Sequence, residues 1–362
     1  MKASLFCTAR YMGPARHDVW PLPSDVYSGE VATRSFQVTM DQFRRADEFG
    51  FDWVTVAEHH YSAFSLTPNP MVMAGALTQV VKRAKIAVLG PTIPILNPVR
   101  VAEEFAMLDA MSGGRVVAGM MRGTPNEYVT YNINPSESRE RFAEALHLIR
   151  RAWTETEPFG WLGRYYQYRT ISIWPRPVQK PHPPMFMSGS SPEAGAFAAE
   201  NHIGIGFAFT TVPIARKAVQ HYRACANEAG WEPSPDQIIY RAMFHVAETD
   251  EQAFADMSTL PPRVNFADQN AAISAAVQES GYYGADLGGQ RQRNARRELA
   301  ERIELGQVIV GGPETVLAQV RRIRDELGAG ILDLVVGVQL GERTMRSIEL
   351  FGSQVLPRMR EF

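Results

Sequence analysis

Three titratable side chains close the run Val54-Thr55-Val56-Ala57-Glu58-His59-His60-Tyr61. A histidine titrates near neutral pH, so at a reacting centre it relays or stabilises a proton. While the extended geometry of such a run lasts, successive residues face opposite sides, so only one of His59 and His60 points to a given face. The pair is therefore not a two-ligand metal clamp. The competing structural reading is a core histidine held by Glu58, and the position of the segment at a strand end favours chemistry.

A fixed cation closes a second segment, Gly114-Arg115-Val116-Val117-Ala118-Gly119-Met120-Met121-Arg122-Gly123. The Arg122 guanidinium fork suits a phosphate or an electron-rich ring, and the plainer alternative is a rim salt bridge. A third segment, Met187-Ser188-Gly189-Ser190-Ser191-Pro192-Glu193, runs into the helix-like Ala194 to Glu200. Hydroxyls and backbone N–H groups at a helix start bind anions, although the same serines serve as plain caps. Other chemistries leave no mark. There is no phosphate-binding loop with its lysine and no G-x-G-x-x-G after the first strand. Gly204-Ile205-Gly206 lacks the third glycine and reads as the end of a tightly packed strand. No H-E-x-x-H occurs, and neither Cys7 nor Cys225 has a metal-ligand partner nearby, so no metal is expected.

The elements that must position these groups follow from apolar periodicity. Short Val-, Ile- and Phe-rich runs alternate with longer segments of helical spacing, which predicts parallel strands joined by crossover helices. Eight strands are expected, at Ser4 to Thr8, Trp53 to Ala57, Lys85 to Gly90, Arg115 to Met121, Pro184 to Ser188, Ile203 to Phe207, Ile238 to His245 and Ile331 to Val338. Ser138 to Trp153 reads as a helix behind a Ser138 cap, and Pro313 to Leu327 as a helix stopped by Gly328. Eight strand–helix units in 362 residues suit a (β/α)8 TIM barrel, an α/β fold spanning 1–362 as one domain. Its active site would lie at the C-terminal strand ends, where all three segments fall. Two stretches exceed a bare barrel. Phe159 to Pro184 reads as a hairpin leading into an extended connector. Leu260 to Gly306, with Pro261-Pro262, Gly281, Gly284, Gly288, Gly289 and the basic run Arg291, Arg293, Arg296 and Arg297, reads as a lid.

Charge and composition limit the partners. Lys plus Arg number 37 against 39 Asp plus Glu, a net −2 that gives no field for nucleic acid or an anionic membrane. Two cysteines make no disulfide framework, the N-terminus does not read as a signal peptide, and no apolar run reaches membrane-spanning length. A cytoplasmic, soluble protein is expected.

Taken in order, these pieces resemble the bacterial luciferase-like flavin monooxygenases. The shared pattern is Glu58-His59-His60, Asn69-Pro70, the run Leu89-Gly90-Pro91-Thr92-Ile93-Pro94 to Arg100, Leu108-Asp109-Ala110-Met111-Ser112-Gly113-Gly114-Arg115, Met121-Arg122-Gly123, the Pro-rich stretch to Pro184, and Gly311-Gly312-Pro313-Glu314. The resemblance implies a barrel that binds reduced FMN at the strand ends, with O2 adding to the flavin to give a C4a-hydroperoxide that oxygenates a small organic substrate, by Baeyer–Villiger insertion or hydroxylation. It makes His59 the histidine that acts at the flavin peroxide, with Glu58 beside it as a catalytic candidate. Leu89-Gly90 falls where the family often has a non-prolyl cis peptide beneath the flavin ring. Met121 stands where luciferase itself has a reactive cysteine, so light emission is not implied, and Arg122 matches a flavin-contacting arginine. Gly189, Ser190 and Ser191 fall in the phosphate turn, and Arg139 or Arg141 is a further phosphate ligand. With no NAD(P)H fingerprint, a separate NAD(P)H flavin reductase must supply the flavin, and a homodimer is expected. Two other readings stand beside this one: an oxidoreductase dependent on the deazaflavin F420, and a flavin-binding barrel without catalysis.

Overall fold

The computed structural model describes residues 1–362 except 16–18, 209, 260–296 and 337–339, and no side chains are described for residues 125 and 126. Its strands are β1 (Lys2–Phe6), β2 (Trp53–Val56), β3 (Lys85–Val88), β4 (Val116–Gly119), β5 (Phe159–Leu162), β6 (Gln167–Ile171), β7 (Met185–Ser188), β8 (Gly204–Ala208), β9 (Ile238–Val246), β10 (Val308–Gly311) and β11 (Ile331–Val335). Eight of them close a parallel ring in the order β1-β2-β3-β4-β7-β8-β9-β11, with β11 returning to β1. This is the (β/α)8 barrel, and its ring strands are the eight expected from apolar runs. β5 and β6 form the expected antiparallel hairpin outside the ring.

β10 has no counterpart in the sequence reading. β9 is nine residues long: Ile238 to Arg241 pair with β8, and Met243 to Val246 pair with β10. Because Met243 also pairs with Val335 of β11, β10 occupies the edge of β9 that β8 has already left. Gly204-Ile205-Gly206 opens β8 instead of ending it. The tight packing expected there is real, since a Cβ on Gly204 would lie 2.4 Å from the Phe186 ring.

Alternation sets what each strand buries. Val54 and Val56, Ile86 and Val88, and Val116 and Ala118 face the surrounding helices, in one large apolar layer. Their neighbours Trp53, Ala87, Val117, Phe186, Ile239 and Ile331 fill the ring itself, with Trp53 edge-on to Phe186 at 5.6 Å. Helices α1 (Gly29–Glu48), α2 (Pro70–Val80) and α3 (Pro98–Ser112) follow the early strands. The two Asn-Pro pairs are helix starts: the Asn69 and Asn97 side chains each accept two backbone N–H groups, and proline takes the first helical position, where its missing N–H costs nothing. Then come α4 (Pro125–Thr130), α5 (Ser138–Thr154), α6 (Pro192–Glu200), α7 (Val212–Glu228) and α8 (Asp250–Ser258).

Ser138 does not cap α5. A 3-10 turn over Pro135–Glu137, capped by Asn134, leads straight into the helix, so Glu137 takes the cap position and the Ser138 hydroxyl donates to the Pro135 carbonyl at 2.7 Å. The helix Pro313–Leu327 ends as expected, with Gly328 at φ 61°. Most of the stretch read as a lid, including Arg291, Arg293 and Arg296, lies outside the described residues. Its described end carries the short helix Leu299–Glu304, whose Leu299 and Ile303 pack with Ala253, Met257, Val308 and Val310. Among the described residues no helix is long and apolar enough to cross a membrane.

Candidate active site

The two adjacent histidines take different partners. His60 is buried, and its Nε2 lies 3.2 Å from Glu58 Oε1. The second oxygen of Glu58 accepts the Thr92 N–H at 3.2 Å, and the Trp20 indole N–H donates to the His60 carbonyl at 3.0 Å. Glu58 therefore does not pair with His59. The core histidine held by Glu58 exists, and it is His60. The His59 side chain is 35% exposed and turns its Nδ1 to Glu127 Oε1, at 3.3 Å.

Glu127 is the residue that sequence reasoning missed. Only 2% of its side chain is exposed. It occupies the third helical position of α4, where Thr124-Pro125-Asn126-Glu127 forms a capping box: Oε2 accepts the Thr124 N–H at 3.0 Å and also the Thr124 hydroxyl. Burial alone would push the Glu127 carboxyl up, but the His59 hydrogen bond and charge, followed by the Thr124 hydroxyl, outweigh it and hold the group below the usual range. The T-P-N-E spacing was the available signal.

The other rim segments are zipped together by backbone. Met121 N–H donates to the Pro91 carbonyl at 3.1 Å and its own carbonyl accepts from Ile93 at 2.8 Å, so Leu89-Gly90 and Met121-Arg122 sit side by side. Gly90 is pressed onto β2: a Cβ there would lie 2.6 Å from the Glu58 nitrogen. The cis bonds of the described residues precede Pro21, Pro175 and Pro181, and Leu89–Gly90 is not cis. A non-prolyl cis bond costs about 3 kcal/mol, and a residue without Cβ allows the close approach in its absence. Met121 packs beside Leu89 on the Trp53 and Phe186 plug. Above that plug, Ser188 and Ala208 belong to the inward-facing sides of β7 and β8, yet both are exposed, and a Cβ on Gly206 would meet nothing nearer than 3.8 Å. Among the described residues nothing closes the barrel mouth there.

At the rim, several groups gather around one carboxylate. Gly189 is buried, its N–H donating to the Gly206 carbonyl at 3.1 Å, and it turns the chain so that the Ser188 and Ser190 hydroxyls meet at 3.1 Å. Ser191 realises the cap reading by accepting the Ala194 N–H at 3.3 Å. Glu193 beside it is held below the usual carboxyl range by its own backbone N–H and the Ser191 hydroxyl, and further by the charges of Arg139 and Arg122. Arg139 Nη2 lies 3.6 Å from Glu193 Oε2. Arg141 goes elsewhere: its Nε lies 2.9 Å from Glu137, and its guanidinium stacks 4.8 Å from the Tyr165 ring on the hairpin side. Of the two alternatives, only Arg139 faces the serine turn.

A buried ion pair inside the ring was also missed. Arg241 Nε donates to Asp333 Oδ2 at 2.6 Å, and the guanidinium lies 3.6 Å above the Phe6 ring. Asp333 is fully buried and its Oδ1 has no partner. A charged residue at an inward position of Ile331-Leu332-Asp333-Leu334-Val335 was the visible sign. Among the described residues no group of three or more His, Cys, Asp or Glu is placed to hold a metal.

Over residues 13–330 the sequence matches the family described as luciferase-like monooxygenase. An uncharacterized protein of Sinorhizobium fredii, y4wF, is 28% identical over 174 residues, which are 48% of this chain and 51% of that one. The 4-hydroxyprotoasukamycin monooxygenase of Streptomyces nodosus subsp. asukaensis is 26% identical over 326 residues, covering 86% of this chain and 84% of that protein. The oxygenase component of the flavin-dependent trigonelline monooxygenase of Acinetobacter baylyi is 24% identical over 215 residues, 58% of each chain. The chain thus spans less than two thirds of two of these relatives. In fold it is similar to the oxygenating constituent of 3,6-diketocamphane monooxygenase from Pseudomonas putida, solved with FMN, with a TM-score of 0.77, 19% identity, and 99% and 98% of the two chains covered.

Proposed function

The chain belongs to the luciferase-like monooxygenase family, and from that premise we propose that it is the oxygenase of a two-component system. In this reading it takes reduced FMN from a separate NAD(P)H-dependent flavin reductase in the cytoplasm and uses O2 to oxygenate a small organic substrate. The observation that carries the reading is the rim cluster: the chain's own Glu193 carboxylate already collects the anion-binding groups Ser191, Arg139 and Arg122. A flavin phosphate needs the same donors.

The residues fit the cofactor in shape as well. Gly206, Ala208 and Ser188 leave the mouth open, and Leu89 and Met121 supply an apolar floor for a flat ring. Bound reduced FMN would supply the two electrons with which O2 is divided into one oxygen atom for the substrate and one molecule of water. The protein's part is to anchor the phosphate through Ser190, Arg122 and Arg139, to keep a flat apolar surface under the ring, and to hold or accept a proton at His59. Glu58 acts at one remove in this scheme, fixing His60 and the Thr92 backbone so that the β2 and β3 ends keep their shape. A homodimer fits the exposed apolar Val72 of α2 and Met107 and Met111 of α3.

Anaerobic titration with reduced FMN, followed by turnover with a flavin reductase, NADH and labelled O2, tests the proposal. Saturable binding and a labelled oxygen atom in the product of a substrate panel are the expected results. Binding and reduction of F420 with no affinity for reduced FMN would overturn it in favour of the deazaflavin reading. Tight flavin binding with no oxygenated product from any substrate, and only hydrogen peroxide released, would favour a barrel without catalysis.

A further inference from the structure

We infer that Glu127 is the positioning residue for His59, holding the imidazole in the tautomer that carries its proton on Nδ1. An ionised carboxylate has no hydrogen to donate, and Glu127 is held ionised by groups that include Thr124 as well as His59. The ring nitrogen facing it at 3.3 Å must therefore be the donor. In the neutral imidazole the other nitrogen, Nε2, then has a lone pair and no hydrogen. Nδ1 is the end turned to a nearly buried carboxylate, while the side chain as a whole is 35% exposed, so Nε2 is the end left open.

This arrangement decides the direction of proton traffic. His59 Nε2 is an acceptor: it takes a proton from an O–H in the mouth, and the N–H bond it forms leaves an imidazolium beside the Glu127 carboxylate, a pair with no net charge. Returning that proton restores the starting state, so the balance closes with no further reactant. With only 2% of its side chain exposed, Glu127 acts through His59. A second consequence concerns α4. The capping box that starts this helix is made by the same carboxylate, so helix start and histidine orientation are set by one side chain, and α4 follows Arg122-Gly123 directly.

The inference rests on His59 acting as proposed above, and its test separates the two. Protein labelled with 15N-histidine, without flavin, is examined by long-range proton–nitrogen correlation, with His59→Ala assigning the resonance. The native ring is expected to show a protonated Nδ1 and an unprotonated Nε2. Glu127→Gln keeps an acceptor for the Thr124 cap but loses the charge. It is expected to populate both tautomers and to lower kcat about 10- to 100-fold, with little change in the affinity for reduced FMN. Glu127→Ala loses both functions. A native ring protonated on Nε2 overturns the inference, as does a Glu127→Gln protein that behaves as native while Glu127→Ala fails, which would make Glu127 a helix cap alone. A locked tautomer together with full turnover in His59→Ala would leave the inference standing and remove the catalytic role of His59 from the proposed function.

Discussion

His59–Glu127 and His60–Glu58 are the same chemical pair built from neighbouring residues, and they differ in what surrounds them. In the His60 pair both side chains are almost fully buried, and the carboxylate is completed by a backbone N–H of the next strand end. In the His59 pair the carboxylate is as deeply buried, but the ring is partly open. A carboxylate–histidine contact is therefore not itself a sign of catalysis. What distinguishes the two is whether one ring nitrogen remains accessible after the carboxylate has taken the other.

The largest effect that tests this contrast is kinetic. His59→Ala is expected to leave reduced FMN binding nearly intact while lowering oxygenation by about 10² or more, the scale of a positioned acid–base group. The loss should appear as hydrogen peroxide released in place of oxygenated product. Unchanged turnover would make His59 as structural as its neighbour. His60→Ala is the mirror experiment. It leaves Glu58 buried with one partner fewer, so unfolding in denaturant should show a loss of about 1–3 kcal/mol. Turnover per folded molecule should change far less than in His59→Ala, and the opposite ranking would reverse the assignment.

How much of this contrast was legible differs by element. That only one histidine could reach a given face followed from strand alternation. That Glu58 would choose His60 did not, because the choice depends on the turn after β2, where Tyr61 takes φ 52°, and on the Thr92 N–H, which lies 34 residues away in sequence. The ring strands were legible because each carries an apolar run of its own. β10 was not, since its apolar run Val308-Ile309-Val310 is only three residues long. Arg139 and Arg141 are two apart on α5, and residues at that spacing do not share a helix face. Sequence could say that at most one meets the serine turn, and only the packing of the hairpin against α5 decides which.

The rim cluster gives the next smaller effect. Ser190→Ala with Ser191→Ala should weaken reduced FMN about tenfold by removing phosphate donors, part of it through the lost α6 cap. Riboflavin, which has no phosphate, should lose much less. If both flavins weaken equally, this turn is not the phosphate site, and the loss belongs to the helix start alone.

Glu193 gives the smallest effect, with the opposite sign. It stands among Ser191, Arg139 and Arg122 as a carboxylate where a phosphate is proposed to bind, so an incoming FMN must displace it from those groups. Because its side chain is 62% exposed, the contact with Arg139 is a solvent-screened surface pair, worth at most about 1 kcal/mol. Glu193→Gln is therefore expected to tighten FMN, by up to about fivefold, and to leave riboflavin unchanged. The carboxyl is held below its ordinary range, so it is charged and competing at neutral pH, and the competition is lost only as pH falls through that lowered value. The ratio of FMN affinities between Glu193→Gln and the native protein should accordingly be greatest near neutrality and fall toward one in acid. A substitution that weakens FMN would mean instead that Glu193 orders the arginines for the phosphate, acting with Ser191 and not against the ligand.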